Sequence, residues 1–114
     1  PPSYRLSQDC LDYLVDVVKK DNPDLMIVTD DVYGTFAKDF KSLMYVLPRN
    51  TLCVYSFSKY FGATGWRLAV IAAAKENIFD RLISQESKEC LEDLDKRYGS
   101  LSLHPEKIRF IDSF

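Results

Sequence analysis

Ser56-Phe57-Ser58-Lys59-Tyr60-Phe61-Gly62-Ala63-Thr64-Gly65-Trp66-Arg67 is the stretch whose reading decides how this chain folds. It leaves Thr51 to Phe57, a run rich in β-forming residues, and leads into Leu68 to Ala74, a second apolar run. Two strands can lie parallel only when joined by a crossover of about a dozen residues or more. The link from Lys59 to Arg67 is too short for that, so the second run is expected antiparallel to the first. The stretch also gathers a lysine, two serine hydroxyls, two glycines and an arginine just past a strand. That set suits holding a phosphate and presenting an amine beside it.

Upstream, Ser7 is a candidate N-cap with Asp9 in the first turn. Cys10, Leu11, Leu14, Val17 and Val18 recur at helical spacing, Lys19 and Lys20 fall in the last turn, and Asn22-Pro23 ends the helix. Leu25 to Thr29 is apolar throughout and predicts a strand buried on both faces. A loop through Gly34 and a short helical turn from Ser42 to Leu47, stopped by Pro48, complete a crossover to Thr51. The first two strands should therefore be parallel. From Lys75 one long helix is expected through Ile78, Phe79, Leu82, Ile83, Cys90, Leu91, Leu94 and Tyr98. Glu92 and Lys96 are expected to pair at i,i+4, and Gly99 to end the helix. Pro105 would open a further helix. The order is α/β: parallel strands plus one antiparallel neighbour, flanked by helices.

A chain of 114 residues, 46% apolar and 28% charged, has room for one domain at most. A net charge of −2 and the lack of any Lys/Arg block give no footing for nucleic acid or an acidic membrane surface. No apolar run approaches the ~18 residues of a membrane span. Cys10, Cys53 and Cys90 are odd in number and lack metal-ligand spacing, so no metal is expected. They read as buried thiols of a reducing, cytoplasmic compartment. The chain opens on Pro1-Pro2 and closes within the apolar-periodic stretch Ile108 to Phe114, so it is expected to be part of a longer protein.

In open α/β sheets ligands bind beyond the carboxyl ends of the strands. Asp30 and Lys59 lie at such ends, and Arg67 lies at the amino end of the antiparallel neighbour, so all three should meet at one rim. There Lys59 can form a Schiff base with an aldehyde while the neighbouring hydroxyls and Arg67 hold a phosphate. Pyridoxal 5'-phosphate carries both groups. Its ring works as an electron sink when a buried carboxylate keeps the ring nitrogen protonated, which Asp30 can do. Tyr33 can donate to the ring oxygen.

From Ser56 to Ala69 the chain resembles the lysine signature of the class I/II aminotransferases, in the fold-type I pyridoxal-phosphate superfamily: Ser-x-Ser-Lys, two free positions, a small residue at Gly62, then Gly65-x-Arg67 and an apolar-small pair. Asp30 and Tyr33 match that family's Asp-x-x-Tyr element. The resemblance implies Lys59 as the catalytic lysine, with Ser56, Arg67, Asp30, Tyr33 and, as a third phosphate contact, Ser58 around the cofactor. Asp24 to Phe36, with Asp31 after Asp30, and Arg97-Tyr98-Gly99-Ser100-Leu101 with His104-Pro105-Glu106-Lys107 are similar to the aspartate 4-decarboxylases, which also transaminate.

What this implies is a central part of the large domain, spanning residues 1–114, with the N-terminal part and the small domain outside it. The full-length protein would convert L-aspartate to L-alanine and carbon dioxide, with aspartate aminotransferase side activity. It would be a homo-oligomer sharing its active site between subunits. An ordinary class I/II aminotransferase stands beside this reading, and so does an inactive structural or interaction fragment. At single residues, Ser58 either touches phosphate or supports backbone, Asp31 closes a loop, Trp66 packs, and His104 neighbours a helix cap.

Overall fold

Ser7 begins the first helix by accepting the Cys10 amide on its hydroxyl at 3.2 Å. The computed structural model describes residues 6–102 and 108–113. His104 and the helix expected at Pro105 lie outside the described residues. Helix α1 (Gln8–Lys20) carries Asp9 at its positive end and Lys19 and Lys20 at its negative end. The Val17 carbonyl takes the amides of both Asp21 and Asn22, and the helix stops before Pro23.

Strand β1 (Ile27–Asp30) starts later than expected. Leu25 spends its amide on the Asn22 carbonyl and its own carbonyl on the Asn50 side chain, so neither group is free for a ladder. The strand is not buried on both faces. Met26 and Val28 are 58% and 68% exposed, and the strand alternates between half-buried and open positions.

After β1 run a 3-10 turn (Gly34–Phe36), helix α2 (Leu43–Val46) capped by Ser42, and a second 3-10 turn (Pro48–Asn50). Gly34 is required here by space: a Cβ would collide with the Phe40 ring. Strand β2 (Thr51–Ser56) begins at the fully buried Thr51, whose hydroxyl donates to the Leu47 carbonyl at 2.8 Å. Asn50 donates to the carbonyls of Pro23 (2.9 Å) and Leu25 (3.0 Å), tying the entry of β2 to the entry of β1. Those bonds fix the parallel register, Ile27 against Thr51 through Asp30 against Val54.

Strand β3 (Ala69–Ala73) pairs antiparallel with β2, Ser56 against Ala69 and Leu52 against Ala73. The sheet order is β1-β2-β3, the mixed arrangement that the short Lys59–Arg67 link implies. Val18, Leu47 and Leu52 are the buried apolar side chains among the described residues of this unit, residues 1–74.

Residues 75–114 form a second unit. The single helix expected from Lys75 is two helices, α3 (Ile78–Ile83) and α4 (Lys88–Tyr98). Asn77 caps α3 through the Asp80 amide at 2.8 Å. The amides of Gln85 and Glu86 then turn back to the Leu82 and Ile83 carbonyls, and Ser87 caps α4 through the Cys90 amide. A serine satisfies an orphan amide better at an N-cap than in a helix interior, so the apolar period runs on across a real break.

The expected Glu92–Lys96 pair is replaced by Lys88–Glu92 at 3.7 Å and Asp93–Lys96 at 3.0 Å. The Phe110–Ser113 turn is fastened to α3 by Asp80. This carboxylate accepts from the Phe110 amide (2.7 Å), Arg109 Nε (3.0 Å) and the Asn77 amide group (3.0 Å). Cys10 is exposed and Cys53 and Cys90 are half-buried, against the expectation of buried thiols. The helices carrying Cys10 and Cys90 bury at most one side chain each. Among the described residues no helix is long and apolar enough to cross a membrane.

Candidate functional site

Asp30 ends β1 and Asp31 follows it, and the two take opposite fates, because successive residues of extended chain project to opposite sides. Asp30 is exposed, and its Oδ1 accepts the Val32 amide at 3.0 Å in a local turn. Asp31 is 7% exposed. Its Oδ1 accepts from the Thr29 hydroxyl at 2.8 Å and its Oδ2 from the Cys53 thiol at 3.2 Å. Burial first, and the Asp31 carboxylate beside it second, push the Cys53 thiol up to about 11, so it keeps its proton and donates. The carboxylate expected to be buried at the ring nitrogen is thus the open one in this chain, and its neighbour is the buried one.

The lysine loop is built by backbone closure. Phe57 N–H donates to the Leu68 carbonyl at 3.2 Å, one step beyond the Ser56–Ala69 rung, so Ser58 and Arg67 follow on facing strands. The Ser56 hydroxyl accepts the Ser58 amide at 3.2 Å. Gly62, at φ 65, donates to the Lys59 carbonyl and turns the chain, a conformation that costs glycine nothing. The return passes through a 3-10 turn (Thr64–Trp66) into Arg67, which sits in the left-handed region at φ 51, ψ 37. Lys59 and Arg67 are exposed, and among the described residues neither forms an ion pair.

The ladder collects these groups at one end of the sheet. Asp30 pairs with Val54, two residues before Ser56, and the Ser56 partner Ala69 stands two residues after Arg67. The carboxyl ends of β1 and β2 and the amino end of β3 therefore carry Asp30, Ser56, Ser58, Lys59 and Arg67 together. A chain of ring contacts joins the two motif loops: Tyr33 to Phe36 at 6.1 Å, then Phe36 edge-on to Tyr60 at 5.6 Å. Sequence reading missed Phe36 and Tyr60. Their only signal was the three-residue spacing of Phe36 from Tyr33 and the adjacency of Tyr60 to Lys59.

A cleft of about 380 Å³ opens at the same strand end, with Leu11, Asp30, Tyr33, Phe40 and Lys41 among its walls. Ser56, Lys59 and Arg67 are not part of its lining, so Asp30 and Tyr33 share a cavity that the lysine loop does not enter. Trp66, expected to pack, is 79% exposed, on a 3-10 turn that buries none of its residues.

An exposed amine, two hydroxyls and a guanidinium can bind a phosphorylated aldehyde, and a carboxylate with a phenol can hold the far side of a ring. Residues 6–105 match the family described as aminotransferase class I and II. Over 112 residues, 98% of its length, the chain is 56% identical to a Pseudomonas sp protein named bifunctional aspartate aminotransferase and L-aspartate beta-decarboxylase. The matched part is 21% of that protein, so the chain spans about a fifth of this relative.

Proposed function

The chain belongs to the class I and II aminotransferases, and on that footing we propose that it is the central, cofactor-binding part of the large domain of a longer pyridoxal-phosphate enzyme acting on L-aspartate. The observation that carries this reading is the strand register. It sets Asp30, Ser56, Ser58, Lys59 and Arg67 at one sheet end, with the two cations free of ion pairs among the described residues.

The residues fit the group by their chemistry. Arg67 offers a planar fork of donors for phosphate oxygens, and the Ser56 and Ser58 hydroxyls add neutral donors beside it. The Lys59 amine would hold the aldehyde carbon and, when released, take and return a proton at the substrate Cα. Asp30 would face the ring nitrogen and hold its proton, and Tyr33 would donate to the ring oxygen. When bound, pyridoxal phosphate supplies an electron sink for negative charge at the substrate carbon. Asp30 is open to water in this chain, so its pairing with the ring nitrogen strengthens as the bound group displaces that water.

The reaction is release of the β-carboxylate of L-aspartate as carbon dioxide, leaving L-alanine, with amino transfer to an oxo acid as the side reaction. The name of the Pseudomonas sp relative supports both outcomes. Tyr33, Phe36, Tyr60, Phe61 and Trp66 all stand more than half exposed around the sheet end. That rim supports a homo-oligomer whose second subunit helps to close the site. The compartment is cytoplasmic, in keeping with free cysteines.

Full-length enzyme given L-aspartate labelled at C4 tests the proposal. Labelled carbon dioxide with equal alanine is the expected result. Amino transfer to an added oxo acid without label release would leave an ordinary aminotransferase. No aspartate-dependent product of either kind would overturn the reading.

A further inference from the structure

We infer that Asp31 is a positioning residue: its buried carboxylate clips β1 to β2 at their carboxyl ends and so fixes the strand end and turn from which Asp30 and Tyr33 project. The inference rests on the cofactor roles proposed for those two residues and adds a residue that acts through them.

The geometry is that of a bridge. Thr29 and Cys53 are register partners across the β1–β2 pair. Asp31 reaches back to both, Oδ1 to the Thr29 hydroxyl on its own strand and Oδ2 to the Cys53 thiol on the next. Its backbone is committed as well. The Asp31 amide donates to the Val54 carbonyl at 2.9 Å, continuing the ladder past the end of β1, and its carbonyl accepts the Gly34 amide at 2.9 Å, closing the turn that holds Tyr33. Four bonds thus converge on one residue between the two that the cofactor would need.

A buried carboxylate is costly unless its oxygens are bonded. An apolar side chain there would relieve the cost but release both strands. Among the described residues the Asp30 side chain makes a single hydrogen bond, the local one from the Val32 amide, so its position is inherited from the strand end that Asp31 holds. Displacement of a reacting group by about 1 Å costs on the order of 100-fold in rate. A loosened clip should therefore register in turnover before it registers in substrate affinity.

The test uses the full-length, cofactor-loaded enzyme with Asp31→Asn, Thr29→Val and Thr29→Ser. Thr29→Val removes one donor at constant volume, and Thr29→Ser restores the hydroxyl. Expected for Asp31→Asn and Thr29→Val is a fall in kcat of about 10-fold or more with KM for aspartate nearly unchanged. Alongside it, the pH midpoint of the bound cofactor's visible absorbance should move upward, as the Tyr33 hydroxyl loses its aim at the ring oxygen. Thr29→Ser should bring both back. Wild-type kcat and midpoint in a loaded Thr29→Val enzyme, whatever its thermal stability, would overturn the inference and leave Asp31 as a purely structural group. Absence of the cofactor from Lys59 in the wild type would overturn this inference and the proposed function together.

Discussion

Arg67 holds a left-handed backbone, φ 51 and ψ 37, at the turn into β3. An L-residue loses about 1–2 kcal/mol there relative to its preferred regions. In Arg67→Gly that strain disappears, while the greater freedom of glycine in the unfolded chain takes back about 0.5–1 kcal/mol. The exposed arginine forms no ion pair among the described residues, so little else is lost from the fold. Denaturant unfolding of the apoenzyme should therefore show the full-length variant as stable as wild type or more stable by about 0.5–1 kcal/mol.

Cofactor binding should move the other way. A hydrogen bond to a charged group is worth about 1.5–3 kcal/mol, so losing the guanidinium should raise the cofactor Kd by roughly 10- to 100-fold. Arg67→Lys keeps the charge, the strain and part of the affinity, and separates the two effects. An Arg67→Gly enzyme that binds pyridoxal phosphate as tightly as wild type would refute the phosphate role. One that unfolds more readily would refute the strain argument.

Asp30→Ala should cut turnover by about 100-fold or more, with a much smaller effect on cofactor affinity measured by titration, since Ser56 and Arg67 remain. Asp80 is held below the ordinary carboxylate range: its burial would raise it, but the bonds from the Phe110 amide, Arg109 and Asn77 outweigh that. Its contribution is therefore complete above about pH 4 and lost as pH falls towards the depressed folded value. Hydrogen exchange at the Phe110 amide should lose its protection over that acid range. Asp80→Asn should lose about 10-fold or more of it at neutral pH and show no such acid step. Cys53 ionises near 11, so its alkylation rate, followed by peptide mass, should climb about tenfold per unit through pH 7–10. A plateau near pH 8 would contradict its burial beside Asp31.

The mixed sheet was legible because one number decided it: a link too short for a crossover forces an antiparallel return, and the longer route from Asp30 to Thr51 permits a parallel one. Capping was legible at Ser7 and Gly99, since caps are local chemistry. The break at Ser84–Ser87 was not, because apolar spacing persisted on both sides of it and concealed a second N-cap. Ion-pair partners on α4 depend on rotamer competition among Lys88, Glu92, Asp93 and Lys96, which spacing alone does not resolve. Asp30 and Asp31 are chemically identical in sequence. Which of them faces Thr29 and Cys53 follows from strand phase, visible only once the register is known. The Tyr33–Phe36–Tyr60 contacts join segments that only the folded sheet end brings together.

Lys59 is the residue proposed to carry the cofactor. Borohydride treatment of the full-length holoenzyme followed by peptide mapping addresses it directly, since reduction makes the lysine–cofactor bond permanent. The pyridoxyl group is expected on Lys59 and on no other lysine of this chain. Finding it on Lys38, Lys41 or Lys75, or on a lysine elsewhere in the full-length protein, would contradict the site.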